Sequence, residues 1–199
     1  MKYFISTFIL LLAITTKAQV IAYDDFREVI PFFQKEDYKG AFEKTKQLLT
    51  STQNDSSDLR GIVTYMNIYS AAGMVTRDQM THAEFMKIAT LFIGQRIVMS
   101  GHPYVDSTSD AFNSIKFITK DGILQGSVAT ANKAGTNILC FEYFKFADNV
   151  NPTDFVGKTV RCGGTLESVE VNPNNSKLWI SRLHITNAFA REMTPFGRK

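Results

Sequence analysis

A short pattern occurs twice in this chain: Gly94-Gln95-Arg96-Ile97-Val98-Met99-Ser100-Gly101, and again Gly157-Lys158-Thr159-Val160-Arg161-Cys162-Gly163-Gly164. In each copy a glycine and a polar residue precede alternating apolar side chains, which is typical of a strand with one buried face. The second glycine lies where a coiled strand of a small closed sheet needs a bend without a side chain. The two copies therefore predict strands that enter and coil through a β-barrel in the same way, with Gly101 and Gly164 at equivalent bends.

The rest of the segment after Gly94 also has the short periods and turn residues of β-strands. A polar stretch at residues 126–136, rich in Gly, Ala and Asn, is interpreted as a connection. Pro152-Thr153-Asp154-Phe155 is suited to start a helical turn between the third and fourth strands. Five strands in this order match an OB-fold, which is a small five-stranded barrel. The predicted strands span residues 96–105, 114–119, 137–146, 158–171 and 178–187.

Three pieces of this half carry a family resemblance: ILCFEYFKF at 138–146, DFVGKTVRCGGTLESVEV at 154–171 and LWISRLHI at 178–185. They resemble the tRNA-anticodon-like OB domains of exported bacterial proteins. The resemblance covers about the last hundred residues and rests on the rhythm of the strands, without a catalytic signature. It implies an OB-fold for the C-terminal half, and the family name points to nucleic acid as a class of ligand.

The residues before position 94 keep the apolar spacing of amphipathic helices, and about four short helices are predicted there. Met66, Tyr69 and Met86 on these helices are interpreted as core residues rather than as a ligand site. The boundary signals are Asp24 and Asp25 for the first helix, Asp37 for the second, Gly73 as the end of the third, and a capping box of Thr81 and Glu84 for the fourth.

The change of periodicity near residue 93 divides the chain into two domains. We predict an α+β protein with helical hairpins at residues 19–93, a five-stranded OB-fold-like β-barrel at 94–190 and a tail at 191–199. The third predicted strand is apolar on both faces, and no Pro- or Ser-rich linker lies at the junction. We therefore expect the two domains to pack against each other.

An export signal is expected at residues 1–18. Lys2 precedes an apolar run from residue 3 to about residue 14, and Thr16-Lys17-Ala18 offers small residues where a signal peptidase cuts. The run is shorter than the roughly 20 apolar residues that a membrane-spanning helix needs, so a cleaved signal is preferred over an anchor. The mature protein, beginning at Gln19, is expected to be periplasmic or secreted, with no membrane span.

The sequence contains no recognisable catalytic or metal-binding motif. The three histidines, His82, His102 and His184, lie far apart in the chain, and no Cys or His pair has the spacing of a zinc site. There is no glycine-rich phosphate loop and no nucleophile elbow. We therefore predict a non-enzymatic protein without a cofactor or a metal.

Cys140 and Cys162 lie on different predicted strands of a protein expected in an oxidising compartment. A disulfide between them is one interpretation. The other is that each is a small buried apolar residue, because each belongs to an apolar frame of its strand. The sequence alone leaves both open.

Two functions are compatible with this pattern. The first is a binding or protein-interaction module of the cell envelope, whose partner is an unknown protein or small ligand. Its candidate surface is the loop at 102–113, with Tyr104 and Phe112, beside the loop at 172–177. The second is binding of single-stranded nucleic acid or another polyanion through Arg161, Arg182 and Lys145, with aromatic residues such as Tyr143 stacking on bases.

Nucleic acid is the less favoured partner for two reasons. Removal of Lys2 and Lys17 from the 22 basic and 19 acidic residues leaves the mature chain with a net charge of only +1. Binders of nucleic acid usually cluster Lys and Arg on one face. The aromatic residues Phe117, Phe141, Tyr143 and Phe144 are therefore interpreted first as packing residues.

Overall fold

The computed structural model describes residues 20–105 and 111–193. Helices precede strands along the chain, so the α+β fold class is confirmed. The expected signal peptide and residues 194–199 of the expected tail lie outside the described residues. The helices are α1 (Tyr23–Arg27), α2 (Ile30–Gln34), α3 (Tyr38–Ser51), α4 (Asp58–Thr76) and α5 (His82–Ala89), and a 3-10 turn follows at Thr90–Phe92.

Two of the predicted helix starts are confirmed by their side-chain caps. The Asp37 carboxylate accepts the backbone N–H of Gly40 at 2.9 Å at the start of α3. At the start of α5, the Glu84 N–H donates to Thr81 Oγ1 at 3.2 Å, and the Thr81 N–H donates to Glu84 Oε2 at 2.8 Å. This is the reciprocal capping box, which satisfies two of the free donors of a helix N-terminus.

Two helix predictions were wrong. The first predicted helix is divided into α1 and α2, because Pro31 lacks the N–H that a continuous helix would need and lies in the first turn of α2 instead. Gly73 does not end α4, which continues to Thr76. A Cβ at Gly73 would overlap the ring of Tyr38, so this glycine allows α3 and α4 to approach closely.

The strands are β1 (Arg96–Val98), β2 (His102–Pro103), β3 (Ile115–Lys120), β4 (Ile123–Ala131), β5 (Ile138–Phe146), β6 (Thr159–Val171) and β7 (Trp179–Glu192). They form one mixed sheet with the order β1-β6-β7-β5-β4-β3, and β2 also pairs with β6. The pairing of β5 with β7 is parallel, and the other strand pairs are antiparallel. The predicted helical turn is confirmed as a 3-10 turn at Pro152–Phe155, between β5 and β6.

The sheet differs from the predicted barrel in two respects. It has seven strands instead of five, because the first predicted strand is interrupted at Met99–Gly101 and because residues 123–131 form β4 instead of a loop. The sheet is also not closed: among the described residues, the β2 end pairs with β3 through one isolated bridge, between Tyr104 and Ile115. The small residues of β4, such as Gly126 and Ser127, gave no strand pattern in the sequence.

The two copies of the repeated pattern lie side by side. Ile97 of β1 is opposite Gly164 of β6, and Val98 is opposite Gly163, in antiparallel register. Each copy begins with a glycine of positive φ, +81° at Gly94 and +72° at Gly157. The repeated sequence therefore forms one pair of neighbouring strands.

The helices and the sheet share one hydrophobic core. Helix α4 packs against β1, β5 and β7, and its buried residues Ile68 and Ala72 belong to the same cluster as Leu139 and Ile185 of the sheet. A smaller cluster around Val29, Leu48 and Val63 holds the first helices together. The boundary near residue 93 is thus a change of secondary structure inside a continuous core.

Candidate functional site

A cavity of about 850 Å³ lies between the helices α1, α2 and α4 and one side of the sheet. Its wall on the helical side is apolar and aromatic, with Phe26 and Phe33 from the first helices and Ile62, Met66 and Tyr69 from α4. This volume is within the range of about 300–1,000 Å³ typical of small-molecule sites.

The cavity exists because α4 is apolar on more than one side. Val63, Ile68 and Ala72 are completely buried, whereas Ile62 and Met66, one turn apart, are only partly buried and line the cavity. Met66 and Tyr69 pack against the hydrophobic core as the sequence predicted, and both also line the cavity. A signal was available, because a helix with apolar residues on all sides needs partners on all sides.

The opposite wall carries polar groups from the sheet and the loops beside it. Ser100, His102, Asn113 and Arg161 line it. The Nδ1 atom of His102 lies 2.9 Å from the carbonyl oxygen of Asn113, and its Nε2 lies 3.4 Å from Ser100 Oγ. Burial lowers the pKa of His102, so this imidazole is neutral at pH 7.

A buried hydrogen-bond network joins the cavity wall to the sheet. Tyr65 and Thr130 line the cavity, and behind them both hydroxyl groups donate to the Glu142 carboxyl, at 2.6 Å and 3.0 Å. Glu142 is completely buried, and burial raises its pKa to about 8. This side chain is therefore mainly neutral at pH 7, which is the expected state of a carboxyl group without a cationic partner in an apolar interior.

The acidic residues that line the cavity are already paired. Glu36 forms an ion pair with Arg77 at 3.1 Å, and Asp58 forms one with Arg96 at 2.7 Å. Lys133 donates from Nζ to the carbonyl oxygen of Gln34. The cavity thus has little free negative charge among its described residues.

Arg161 is the charged residue of the cavity with the poorest hydrogen bonding. Its Nε is shielded from solvent and has no hydrogen-bond partner among the described residues. Its Nη2 lies 3.6 Å from Met193 Sδ, and a thioether sulfur is a weak acceptor. The guanidinium group therefore retains donors for an oxygen atom of a ligand.

The five residues that the sequence offered as ligand contacts lie in different environments. Arg161 lines the cavity. Tyr104 packs on Phe117 with ring centroids 5.4 Å apart and is a packing residue. Phe112 is exposed, and Tyr143 stacks on His184 at 5.4 Å on the other side of the sheet. Arg182 lies over the Trp179 ring at 4.6 Å and 3.6 Å from Glu170.

One of the two candidate loops contributes described residues to the cavity lining. His102 and Asn113 of the first loop line the cavity, whereas the described lining contains no residue of the loop at 172–177. That second loop is held by structural contacts: Lys177 forms an ion pair with Asp78 at 2.5 Å, and its carbonyl oxygen accepts from Asn137 Nδ2 at 2.8 Å. Residues 106–110 of the first loop lie outside the described residues.

The disulfide considered for Cys140 and Cys162 is not present, and both cysteines are free and buried. Cys140 lies on β5, with its Sγ 3.3 Å from Ser181 Oγ, and Cys162 pairs with Ala190 of β7. Strand β7 lies between the two cysteine-bearing strands, which keeps the thiols apart. Both cysteines are therefore small buried residues, as the alternative interpretation expected.

The aromatic residues considered for base stacking have two different environments. Phe117 and Phe144 are core residues, and Phe117 stacks on Phe155 at 5.7 Å. Phe141 and Tyr143 are only partly buried, so the second face of β5 is not fully covered, contrary to expectation. Phe141 contacts Trp179 edge to face, with centroids 6.1 Å apart.

Within residues 20–105 and 111–193, no helix is both long enough and apolar enough to cross a membrane. Comparison of the chain with protein-family models, with curated proteins and with solved structures finds no match.

Proposed function

We propose that this chain is an exported, non-enzymatic binding protein that takes an apolar small molecule into the cavity between its helices and its sheet. The observation that carries this proposal is the cavity itself, about 850 Å³ with an aromatic and aliphatic wall and a few polar groups on one side. Such a combination favours burial of an apolar ligand and orients it through the polar groups.

The described lining of the cavity lacks a complete catalytic triad, which supports binding rather than catalysis. His102 is the titratable base of the polar wall, and the Asn113 carbonyl holds one of its ring nitrogens. The Ser100 hydroxyl is 3.4 Å from the other nitrogen, and the described lining offers no carboxylate to orient this pair, because both acidic side chains are ion-paired elsewhere. A nucleophilic triad needs that third group.

The test is a fluorescence titration with the neutral apolar probe N-phenyl-1-naphthylamine. We expect saturable enhancement at micromolar probe with one site per chain. Met66→Trp places a larger side chain in the cavity and should weaken probe binding at least about tenfold. Met86→Trp is the matched control, because Met86 lies on α5, is similarly half-buried and does not line the cavity. No enhancement, or equal binding by both variants and the parent protein, would contradict the proposal.

We infer further that the sheet is an opened OB-like arrangement. The parallel pairing of β5 with β7, the placement of β7 between β5 and β6, and the 3-10 turn between β5 and β6 support this interpretation. The bridge between Tyr104 and Ile115 lies where closure of a barrel would occur. A solution structure with further hydrogen bonds between these two segments would show a closed barrel. A wide gap between them would exclude an OB-like arrangement.

Export is part of the same proposal. A cut before Gln19 retains Ile21, which is buried and whose N–H donates to Asp55 Oδ2 at 2.9 Å. The cleaved chain therefore keeps the contact that holds its N-terminal segment to the loop between α3 and α4. Mass spectrometry of the secreted or periplasmic protein would test the position of the cut.

Binding of single-stranded nucleic acid is the second candidate, and one observation favours it. Phe141, Tyr143, Trp179 and Arg182 form a partly exposed aromatic and cationic patch on β5 and β7. Its cation is partly neutralised, because Arg182 is 3.6 Å from Glu170. Arg182 is opposite Glu170 in the strand register. Arg161 lies nine residues before Glu170 on β6, about 30 Å away along the strand. Arg161 and Arg182 thus do not form one groove.

A further inference from the structure

We propose that the ligand of the cavity is an amphiphile with an anionic head, and that Arg161 binds this head. This inference rests on the proposed function and specifies its ligand class. The head is a carboxylate or a phosphate, because a guanidinium group matches both with two parallel hydrogen bonds. The apolar body lies along the aromatic and aliphatic wall formed by α4 and the first helices.

The first argument is the contrast between Arg161 and other arginines of the described chain. Arg77 and Arg96 each reach a carboxylate, at 3.1 Å and 2.7 Å. Arg60 donates to the backbone carbonyl oxygens of Leu49 and Thr52, at 3.1 Å and 2.6 Å. Arg161 reaches no oxygen acceptor among the described residues, although its Nε is shielded from water. The guanidinium group therefore has no oxygen partner within the described chain, and its outer donors are left for an oxyanion in the cavity.

The second argument is the charge of the cavity. Its two acidic residues, Glu36 and Asp58, are each neutralised by an arginine outside the lining. Glu142 behind the wall is held mainly neutral at pH 7 by its burial. Arg161 and Lys133 are then the lining charges without a carboxylate partner among the described residues. The cavity is therefore electrostatically complementary to an anion and not to a cation.

The experiment measures displacement of N-phenyl-1-naphthylamine by laurate, dodecyl phosphate and dodecanol, which share one alkyl chain. The full mature chain is used at pH 7 and physiological salt. In Arg161→Gln we expect the inhibition constant of laurate, of dodecyl phosphate or of both to rise at least about tenfold, since a hydrogen bond to a charged group is lost. The constant of dodecanol should change less than about twofold. The two acids distinguish a carboxylate from a phosphate head.

Arg182→Gln is the matched control, because the Nε of Arg182 also lacks a hydrogen-bond partner among the described residues, and Arg182 lies over Trp179 and does not line the cavity. It should leave all three constants unchanged, and Arg161→Lys should weaken the acids less than Arg161→Gln does. Unchanged probe binding in Arg161→Gln shows that the variant is folded. The inference is overturned if Arg161→Gln weakens dodecanol as much as the acids, or leaves the acids unaffected, or if neither acid displaces the probe. If the parent protein still binds the probe in any of these cases, the proposed function stands and only the ligand class is refuted. If the parent protein does not bind the probe, the proposed function itself is refuted.

Discussion

Gly164 lies at an irregularity in the pairing of β6 with β7, next to the backbone of β7. A Cβ at this position would be 2.6 Å from the carbonyl oxygen of Thr186 and 2.9 Å from the Cα of Ala188. Both are backbone atoms of a neighbouring strand and cannot move independently of the sheet. At Gly101 a Cβ would instead meet two side chains, Met193 and Thr159, and the flexible methionine can turn away.

We therefore expect Gly164→Ala to lower the free energy of unfolding by more than about 1 kcal/mol, and Gly101→Ala to lower it by less. Urea denaturation of the two variants measures both values. Gly157→Asn is the control, because Gly157 has a φ of +72° and a Cβ there would meet no atom within 4 Å, and asparagine tolerates that backbone conformation. Equal losses at Gly101 and Gly164 would contradict the role of the backbone contact.

The sequence placed these glycines in strands but could not distinguish them. Their equivalence in the repeat predicts one role, whereas the difference depends on which strand lies against each, and that is a property of the assembled sheet. The same limit applies to Arg161. Its residue type marked it as a ligand candidate, but only the fold separates it from Arg182, which is partly neutralised by Glu170.

At the scale of secondary-structure elements, α4 is attached to the sheet by a buried polar contact. Tyr65 of α4 donates to Glu142 of β5 at 2.6 Å, and Thr130 of β4 donates to the same carboxyl group. The three side chains are buried. Such a network fixes the position of a helix on a sheet more specifically than apolar packing does, provided that each group has its partner.

The network predicts a pH dependence of stability. The pKa of Glu142 rises from an ordinary 4.5 to about 8 on folding, chiefly through burial. Between these values the unfolded chain loses the proton and the folded chain keeps it, so the free energy of unfolding falls as pH rises. The contribution is fully present below about pH 4.5, decreases by up to about 1.4 kcal/mol per pH unit, and is lost above pH 8.

Glu142→Gln removes this titration and should flatten the dependence between pH 5 and 8, as measured by urea denaturation at several pH values. Glu43→Gln serves as the control, because Glu43 is exposed on α3 and should leave the dependence unchanged. The prediction fails if Glu142→Gln and the parent protein show parallel curves over this range.

Elements were predictable from the sequence where a local signal exists. The caps at Asp37 and Thr81 and the turn at Pro152 depend on neighbouring residues, and they lie where the sequence placed them. Strand β4 was missed because its Gly, Ser and Ala residues have low strand preference, and pairing with β3 and β5 on both sides supplies its stability. The cavity depends on the packing of α1, α2 and α4 around it, which no single segment encodes.

At the scale of the whole molecule, the helical and sheet halves are expected to unfold together. Arg96 of β1 pairs with Asp58 of α4 at 2.7 Å, and Ile97 next to it is completely buried. Limited trypsin digestion should leave the bond after Arg96 intact while the protein is folded. Rapid release of two stable fragments at this junction would contradict a shared core.

A second measurement of the same property uses Trp179, the single tryptophan of the chain. Its fluorescence reports on the sheet, whereas far-ultraviolet circular dichroism at the helical band reports mainly on the helices. The two unfolding curves in urea should coincide, as they do in cooperative single domains. Separate midpoints would show that the halves are independent.

The charge of the whole chain predicts weak binding of nucleic acid. With a net charge of only +1 over residues 19–199 and with Arg182 beside Glu170, few counterions are released on association. Fluorescence anisotropy with a short single-stranded oligonucleotide should give a Kd weaker than about 10 µM at physiological salt. A submicromolar, steeply salt-dependent Kd that is lost in the Arg161→Ala, Arg182→Ala double variant would reverse this assignment.

Strand β7 is the last of the described strands along the chain, yet it lies in the middle of the sheet, between β5 and β6. A ribosome therefore produces β5 and β6 before the strand that joins them exists. Until Trp179–Glu192 has emerged, both earlier strands present unpaired backbone edges, and the core they enclose is open. The position of this one strand means that the sheet cannot be completed until its last described strand has been made, however early the other strands emerge.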